Sequence, residues 1–189
     1  MLVRGCRLRA GFTMIEILMV VTLVGLMVAF AVPKLDFTSY RINGATRSVV
    51  SLLNRAQRQA VTDQNNVNVI FNTTTSSVTL HEDMNNNNQI DNGERTRSYP
   101  IGEGAKYGMG PSLSPRLYSP APITFLRRLN GMPELIFRRD GSASEAGAIY
   151  VTSTRAGASA AYTRSIEVIA ATGRVEWWRY DGTRWTRKF

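Results

Sequence analysis

Cysteine and histidine are each present once in this 189-residue chain, as Cys6 and His81. A single cysteine excludes an intrachain disulfide. One histidine and one cysteine leave little material for a zinc site or for Cys/His nucleophilic catalysis. Acidic residues are also scarce, 14 Asp+Glu against 23 Lys+Arg, for a formal charge of +9. No phosphate-binding glycine loop, metal-hydrolase set or nucleophile–base pairing stands out, so we expect no enzyme. The length accommodates one domain plus an anchor.

What the chain does have is concentrated at its start. Arg4, Arg7 and Arg9 lead into Gly11-Phe12-Thr13-Met14-Ile15-Glu16, and an apolar run continues to Val32, interrupted by Glu16, Thr22 and Gly25. At a rise of ~1.5 Å per residue, this run is about long enough to span a bilayer's hydrocarbon core. A carboxylate inside such a run costs several kcal/mol unless something pairs with it. Nothing nearby in the chain can pair with Glu16, which points to a partner in another subunit. A secretory signal has its small-residue cleavage site after the apolar region, whereas here the glycine precedes it. The basic start argues for a cytoplasmic N-terminus by the positive-inside rule.

This segment resembles the class III signal of type IV pilins and type II secretion pseudopilins. The resemblance implies a leader, 1–11, removed by prepilin peptidase after Gly11, with methylation of the new N-terminal Phe12. Glu16 becomes the fifth mature residue and neutralises the N-terminal amine of a neighbouring subunit as a filament grows. The mature chain then lacks cysteine, although it faces an oxidising compartment. Its charge falls to about +6, from 20 Lys+Arg and 14 Asp+Glu. In pilins a glycine and a proline at the places of Gly25 and Pro33 bracket a stretch that can unwind; a simple kink at Pro33 is the other reading.

Beyond Pro33, Ile42, Ala45, Val49, Leu52, Leu53, Ala56 and Ala60 recur at helical spacing, with Arg47, Asn54, Arg55, Arg58 and Gln59 between them. We expect one long helix to about Thr62, transmembrane over 12–33 and amphipathic over 34–63. Short strands follow at Val67–Phe71, Ser77–Leu80, Arg95–Ile101, Ile123–Arg127, Leu135–Arg138, Ala148–Thr152, Ser165–Ala170 and Arg174–Tyr180. Turn signals such as Asn130-Gly131, Asp140-Gly141 and Thr172-Gly173 separate many of them. Gly102–Ala121 is expected to be a loop. The expected fold is α+β, the helix packed on a periplasmic antiparallel β domain over 64–189.

Three later segments resemble the GspH/FimT family of minor pseudopilins and minor pilins: Leu52–Val61 (LLNRAQRQAV), Ile136–Ser144 (IFRRDGSAS) and Ser165–Val175 (SIEVIAATGRV). The resemblance implies two antiparallel sheets on the C-terminal half of the helix. It also implies a minor subunit that helps initiate or cap a periplasmic filament, of a type II secretion system or a type IV pilus, anchored in the bacterial inner membrane. Its partners would be other pilins or pseudopilins.

Two further stretches carry chemistry. In Asp83–Glu94, oxygen side chains Asp83, Asn85, Asn87, Asp91 and Glu94 occupy the first, third, fifth, ninth and twelfth places of an EF-hand-like loop, with the Gln89 carbonyl at the seventh. Calcium takes six to eight such oxygens. Asn88 stands where glycine usually does, and the same stretch also suits an Asn-rich turn without an ion. The tail interleaves Arg174, Arg179, Arg184, Arg187 and Lys188 with Trp177, Trp178 and Trp185. Such a pattern can bind DNA through phosphate contacts and base stacking. Some FimT-like minor pilins bind DNA for uptake through a GRxR motif, matched here by Gly173-Arg174-Val175-Glu176 with an acid in place of the second arginine. The alternative is a last β-hairpin with Trp177, Tyr180 and Trp185 packed on the sheet and the arginines towards solvent.

Overall fold

The computed structural model describes residues 11–31, 37–111, 113–155, 157 and 159–188, and within 29–31 the backbone only. Pro33, Lys34 and residues 1–10, with Arg4, Cys6, Arg7 and Arg9, lie outside the described residues. The chain forms two compact units, divided after Phe37.

The first unit contains α1, Met14–Ala31. Thr13 starts it, its Oγ1 accepting the Glu16 N–H at 3.3 Å. Among the described residues no helix is long and apolar enough to cross a membrane, so they do not bear out the expected transmembrane first half. α1 has 18 residues, at the short end of what a span takes, and carries Glu16 in its first turn. Helical structure passes unbroken through Gly25, where an added Cβ would meet nothing within 4 Å, so no contact among the described residues demands glycine there.

α2 spans Thr38–Asp63. Phe37 belongs to neither helix, so the single long helix to Thr62 is not what forms. α2 buries Ile42, Ala45, Val49, Leu52, Leu53, Ala56 and Ala60, the stripe that helical periodicity selects, and adds Thr46. Thr46 is tolerated in the core because its hydroxyl donates to the Ile42 carbonyl at 2.7 Å.

Ten strands follow: β1 Asn66–Asn72, β2 Ser77–Asp83, β3 Thr96–Pro100, β4 Ala105–Tyr107, β5 Arg128–Leu129, β6 Met132–Phe137, β7 Gly147–Ser153, β8 Arg164–Val168, β9 Val175–Tyr180 and β10 Trp185–Lys188. They make two five-stranded sheets, in the orders β3-β2-β1-β6-β5 and β10-β9-β8-β7-β4, and every pairing is antiparallel. α2 touches strands of both. Val67, Val69, Phe71, Leu135 and Phe137 of one sheet and Ile149, Val151, Ile166, Val168 and Trp177 of the other share one apolar core with the α2 stripe.

Two expectations are corrected. Ile123–Arg127 is not a strand; only Ile123 bridges, to Ile149. Arg128 and Leu129 instead pair with Pro133 and Met132 across Asn130-Gly131, both at positive φ (51° and 79°), as a tight two-residue hairpin turn requires. The 102–121 stretch contains β4, because Ala105 and Tyr107 insert into the core while Lys106 stays exposed.

α2 is tied to the far ends of both sheets by one side chain. Gln57 Nε2 donates to the Gly141 carbonyl at 2.9 Å and to the Thr172 carbonyl at 2.7 Å. The Ala143 N–H donates to the Ala170 carbonyl at 2.8 Å, joining the same two turns directly. Asp140 Oδ1 accepts the Ser142 N–H and hydroxyl at 2.8 and 2.6 Å, which shapes the first turn. The three segments that resemble GspH/FimT therefore meet at one structural junction.

Candidate functional site

At the start of α1, Gly11, Phe12 and Glu16 are all exposed. Phe12 is 80 % exposed, and Met14, Ile15, Ile17, Leu18, Met19 and Val20 are exposed beside it. Glu16 is the acidic residue of the helix's first turn. There the positive end of the helix dipole favours a carboxylate. It forms no ion pair with any described residue. Among the described residues, then, nothing neutralises this carboxylate.

The Asn-rich loop leaves the end of β2 at Asp83, which is wholly buried. Asp83 accepts the Asn87 and Asn88 N–H groups at 3.1 and 2.8 Å. Asn88 takes the left-handed conformation, φ 59°, in the glycine's customary place. Asn85 Nδ2 and Asn87 Nδ2 both donate to Asp91 Oδ2, at 2.8 and 2.6 Å, so the third, fifth and ninth places converge on one atom. Glu94 closes the loop: Oε1 accepts the Met84 N–H at 3.0 Å, and Oε2 accepts the Asp91 N–H at 2.9 Å. Glu94 Oε2 also lies 2.7 Å from Nε2 of the wholly buried His81. Gln89 donates its N–H to Asn87 Oδ1 at 2.7 Å. Among the described residues no group of three or more His, Cys, Asp or Glu side chains is gathered for a metal.

These bonds set the loop's response to pH. The Asn85 and Asn87 amides hold the Asp91 carboxyl below its usual range. The Asp91 N–H, and after it His81 and the Met84 N–H, do the same for Glu94 against an opposing cost of burial. A depressed folded-state value means stability that is present above the unfolded value and lost as pH falls through the folded one. The loop is therefore expected to loosen in acid, beginning below pH ~4. Amide protection at Met84, Asn87, Asn88 and Asp91, followed by NMR between pH 6 and 2, measures this; protection that is flat down to pH 2 contradicts it. Glu134 on the same sheet acts in the opposite sense, since burial raises its carboxyl more than Arg127 lowers it.

The tail forms the expected hairpin, β9 with β10. Trp177 enters the core, whereas Trp185 packs on the sheet's other face against Tyr180 and Tyr150, with ring centroids 5.3 and 6.4 Å away. The basic residues do not converge. Arg174 and Arg187 both pair with Glu176, at 2.9 and 2.8 Å, and Arg184 lies 3.6 Å from Asp181. Arg179 sits opposite Arg164 and Thr186, one residue out of phase with Trp178 and Arg187, and so on the other face. Lys188 is exposed at the end of β10.

Sequence reasoning missed two cations. Arg116, from the 102–121 stretch, lies 3.8 Å over the Trp178 ring and binds the Glu167 carboxylate through Nε and Nη2. Arg164 is wholly buried, its guanidinium donating to Asn43 Oδ1, Ser39 Oγ and the carbonyls of Ala161 and Thr163. Burial, and then the charge of Arg179, push it below the usual arginine value. Neither position carries a local signal, because the side chains that meet them, Glu167 and Trp178 for Arg116 and Asn43 and Ser39 for Arg164, are distant in the chain.

No protein-family model matches the chain, and no curated protein does. The chain is similar to two solved structures of the minor pseudopilin EpsH from the type 2 secretion system of Vibrio cholerae. The first has a TM-score of 0.47 at 12 % identity and covers 78 % of this chain and 97 % of that one. The second has a TM-score of 0.44 at 12 % identity and covers 72 % and 91 %.

Proposed function

We propose that this chain is a minor structural subunit of a periplasmic pilus-like filament, of a type II secretion system or a type IV pilus, and not an enzyme. Prepilin peptidase would cut between Gly11 and Phe12, and the filament would take up the subunit through Glu16. The observation that carries this is the exposed Glu16, unpaired among the described residues, in the first turn of a helix whose described side chains are otherwise almost all apolar and exposed, just after Gly11-Phe12.

The helix would lie in the inner membrane before assembly, with the β domain in the periplasm. The apolar run in the sequence extends to Val32, one residue past α1. A slightly short span is accommodated by local thinning of the bilayer, at a fraction of a kcal/mol per Å. In the filament the same apolar surface would pack on neighbouring helices.

The test is crosslinking of the tagged full chain in native membranes, with mass spectrometry of its neighbours and of its own N-terminal peptide. We expect an N-terminal peptide beginning at Phe12, together with pilin or pseudopilin neighbours. Secretion pseudopilins among them would assign the secretion machine, and type IV pilins would assign the pilus. An intact Met1 N-terminus without pilin-type neighbours would refute the proposal.

A further inference from the structure

We propose that the Asp83–Glu94 loop binds a calcium ion through side-chain oxygens of Asp83, Asn85, Asn87, Asp91 and Glu94 and the Gln89 carbonyl. The chemistry of the set is hard oxygen throughout, with three carboxylates and neutral amides. Calcium accepts such irregular sets, whereas magnesium demands near-ideal octahedral geometry and gives up its water reluctantly.

Two features point beyond a self-contained turn. The loop already has an ion-binding loop's path: Asp83 receives the N–H groups of the fifth and sixth places, the sixth is left-handed at φ 59°, and the third and fifth side chains meet the ninth. What faces Asp91 Oδ2 there is a pair of amide N–H donors, two partial positive charges where a cation would lie. The amide oxygens of Asn85 and Asn87 accept the Asn87 and Gln89 N–H groups at 3.0 and 2.7 Å, and each keeps a second lone pair that a small turn of the side chain can offer to an ion.

The second feature lies outside the loop, beside Glu94. His81 holds the twelfth-place carboxylate through Nε2, yet its Nδ1 has no partner. Asn68, opposite His81 in the β1–β2 register, has neither side-chain atom partnered. Both residues are wholly buried. Buried polar groups are paired in the great majority of cases, and each exception calls for an explanation. A second state supplies one. When Glu94 swings to an ion it releases His81, and the imidazole can then turn to the facing Asn68 amide. The two orphaned groups become partners in the ion-bound arrangement.

The test uses the full chain in detergent micelles, titrated calorimetrically with calcium chloride and separately with magnesium chloride. Calcium is expected to bind with a dissociation constant on the order of 10⁻⁴ to 10⁻³ M, and magnesium far more weakly. Glu94→Gln should weaken calcium by more than about tenfold, and Asn87→Asp, which adds a ligand charge, should tighten it by about tenfold. Asn87→Asp also removes a bond to Asp91 and sets two carboxylates side by side. It should therefore melt lower than wild type in chelator and recover in calcium. No calcium heat up to ~10 mM, well above the weakest such sites, overturns the proposal. So does an Asn87→Asp melting temperature that calcium leaves unmoved, or binding that Glu94→Gln leaves unchanged. The outcome is independent of whether the chain assembles into filaments.

Discussion

Glu16→Leu is expected to remove the protein from filaments while leaving it in the membrane fraction at wild-type level or above. The two effects have opposite signs for a physical reason. In hydrocarbon an ionised carboxylate costs about 2.5–3.5 kcal/mol on insertion-derived scales, so deleting it favours the membrane-embedded subunit. In the proposed assembly the same carboxylate pairs with a neighbour's N-terminal amine, and deleting it leaves that amine charged and unpaired in an apolar setting, which costs several kcal/mol. Glu16→Asp keeps the charge but shortens the reach and should retain part of the incorporation. Immunoblots of sheared filaments against membranes measure both quantities. Glu16→Leu present in filaments at wild-type level would sink the assembly role. Loss from both fractions would indicate a failure of insertion instead.

Gly173→Ala is expected to lower stability by about 3 kcal/mol or more, which for a chain of this size shifts the melting temperature down by about 6–12 °C. Gly173 has φ 61°, and a Cβ there would stand 2.2 Å from the Gly141 carbonyl oxygen and 2.5 Å from Gln57 Nε2. These are two members of the junction that ties α2 to both sheets. Alanine at positive φ costs about 1–2 kcal/mol. Forcing the turns apart adds a packing cost of about 1–3 kcal/mol, with further loss if the bonds of Gln57 to Gly141 and Thr172 break. Gly182 provides the contrast. It has φ 108°, with nothing within 4 Å of an added Cβ, so Gly182→Ala meets only the backbone term. Melting of both variants in detergent, followed by tryptophan fluorescence, separates the two. A Gly173→Ala melting temperature within about 2 °C of Gly182→Ala would show that the junction is looser than its geometry. Gly173 also heads the basic motif in the tail, and its place in this junction accounts for the glycine without any nucleic-acid contact.

Features that depend on near neighbours in the chain were legible before the fold. The α2 stripe from Ile42 to Ala60 follows from a 3.6-residue period, which one helix face must satisfy whatever it packs against. The loop's ion-type spacing and its left-handed sixth residue follow from Asx chemistry over twelve positions. Asn130-Gly131 marked a turn correctly, but the strand before it was placed five residues too early, because an apolar Ile123–Phe125 looks like a strand whether or not a partner is in register. Three positions of β4 are too few to show a period.

Tertiary structure decided everything that needed a distant partner. Gln57 became a clamp only when two turns, 84 and 115 residues away, came within hydrogen-bond reach. His81 became the holder of Glu94 only because β2 turns its side chain towards the end of the loop that follows. The tail arginines look alike in sequence, yet a two-residue alternation sends Arg179 to one face and Arg187 to the other, where Glu176 holds Arg187 together with Arg174. Local periods and turn chemistry are energies of adjacent residues and can be read along the chain. Which buried polar group meets which partner is set by packing across it, and no stretch of adjacent residues contains that information.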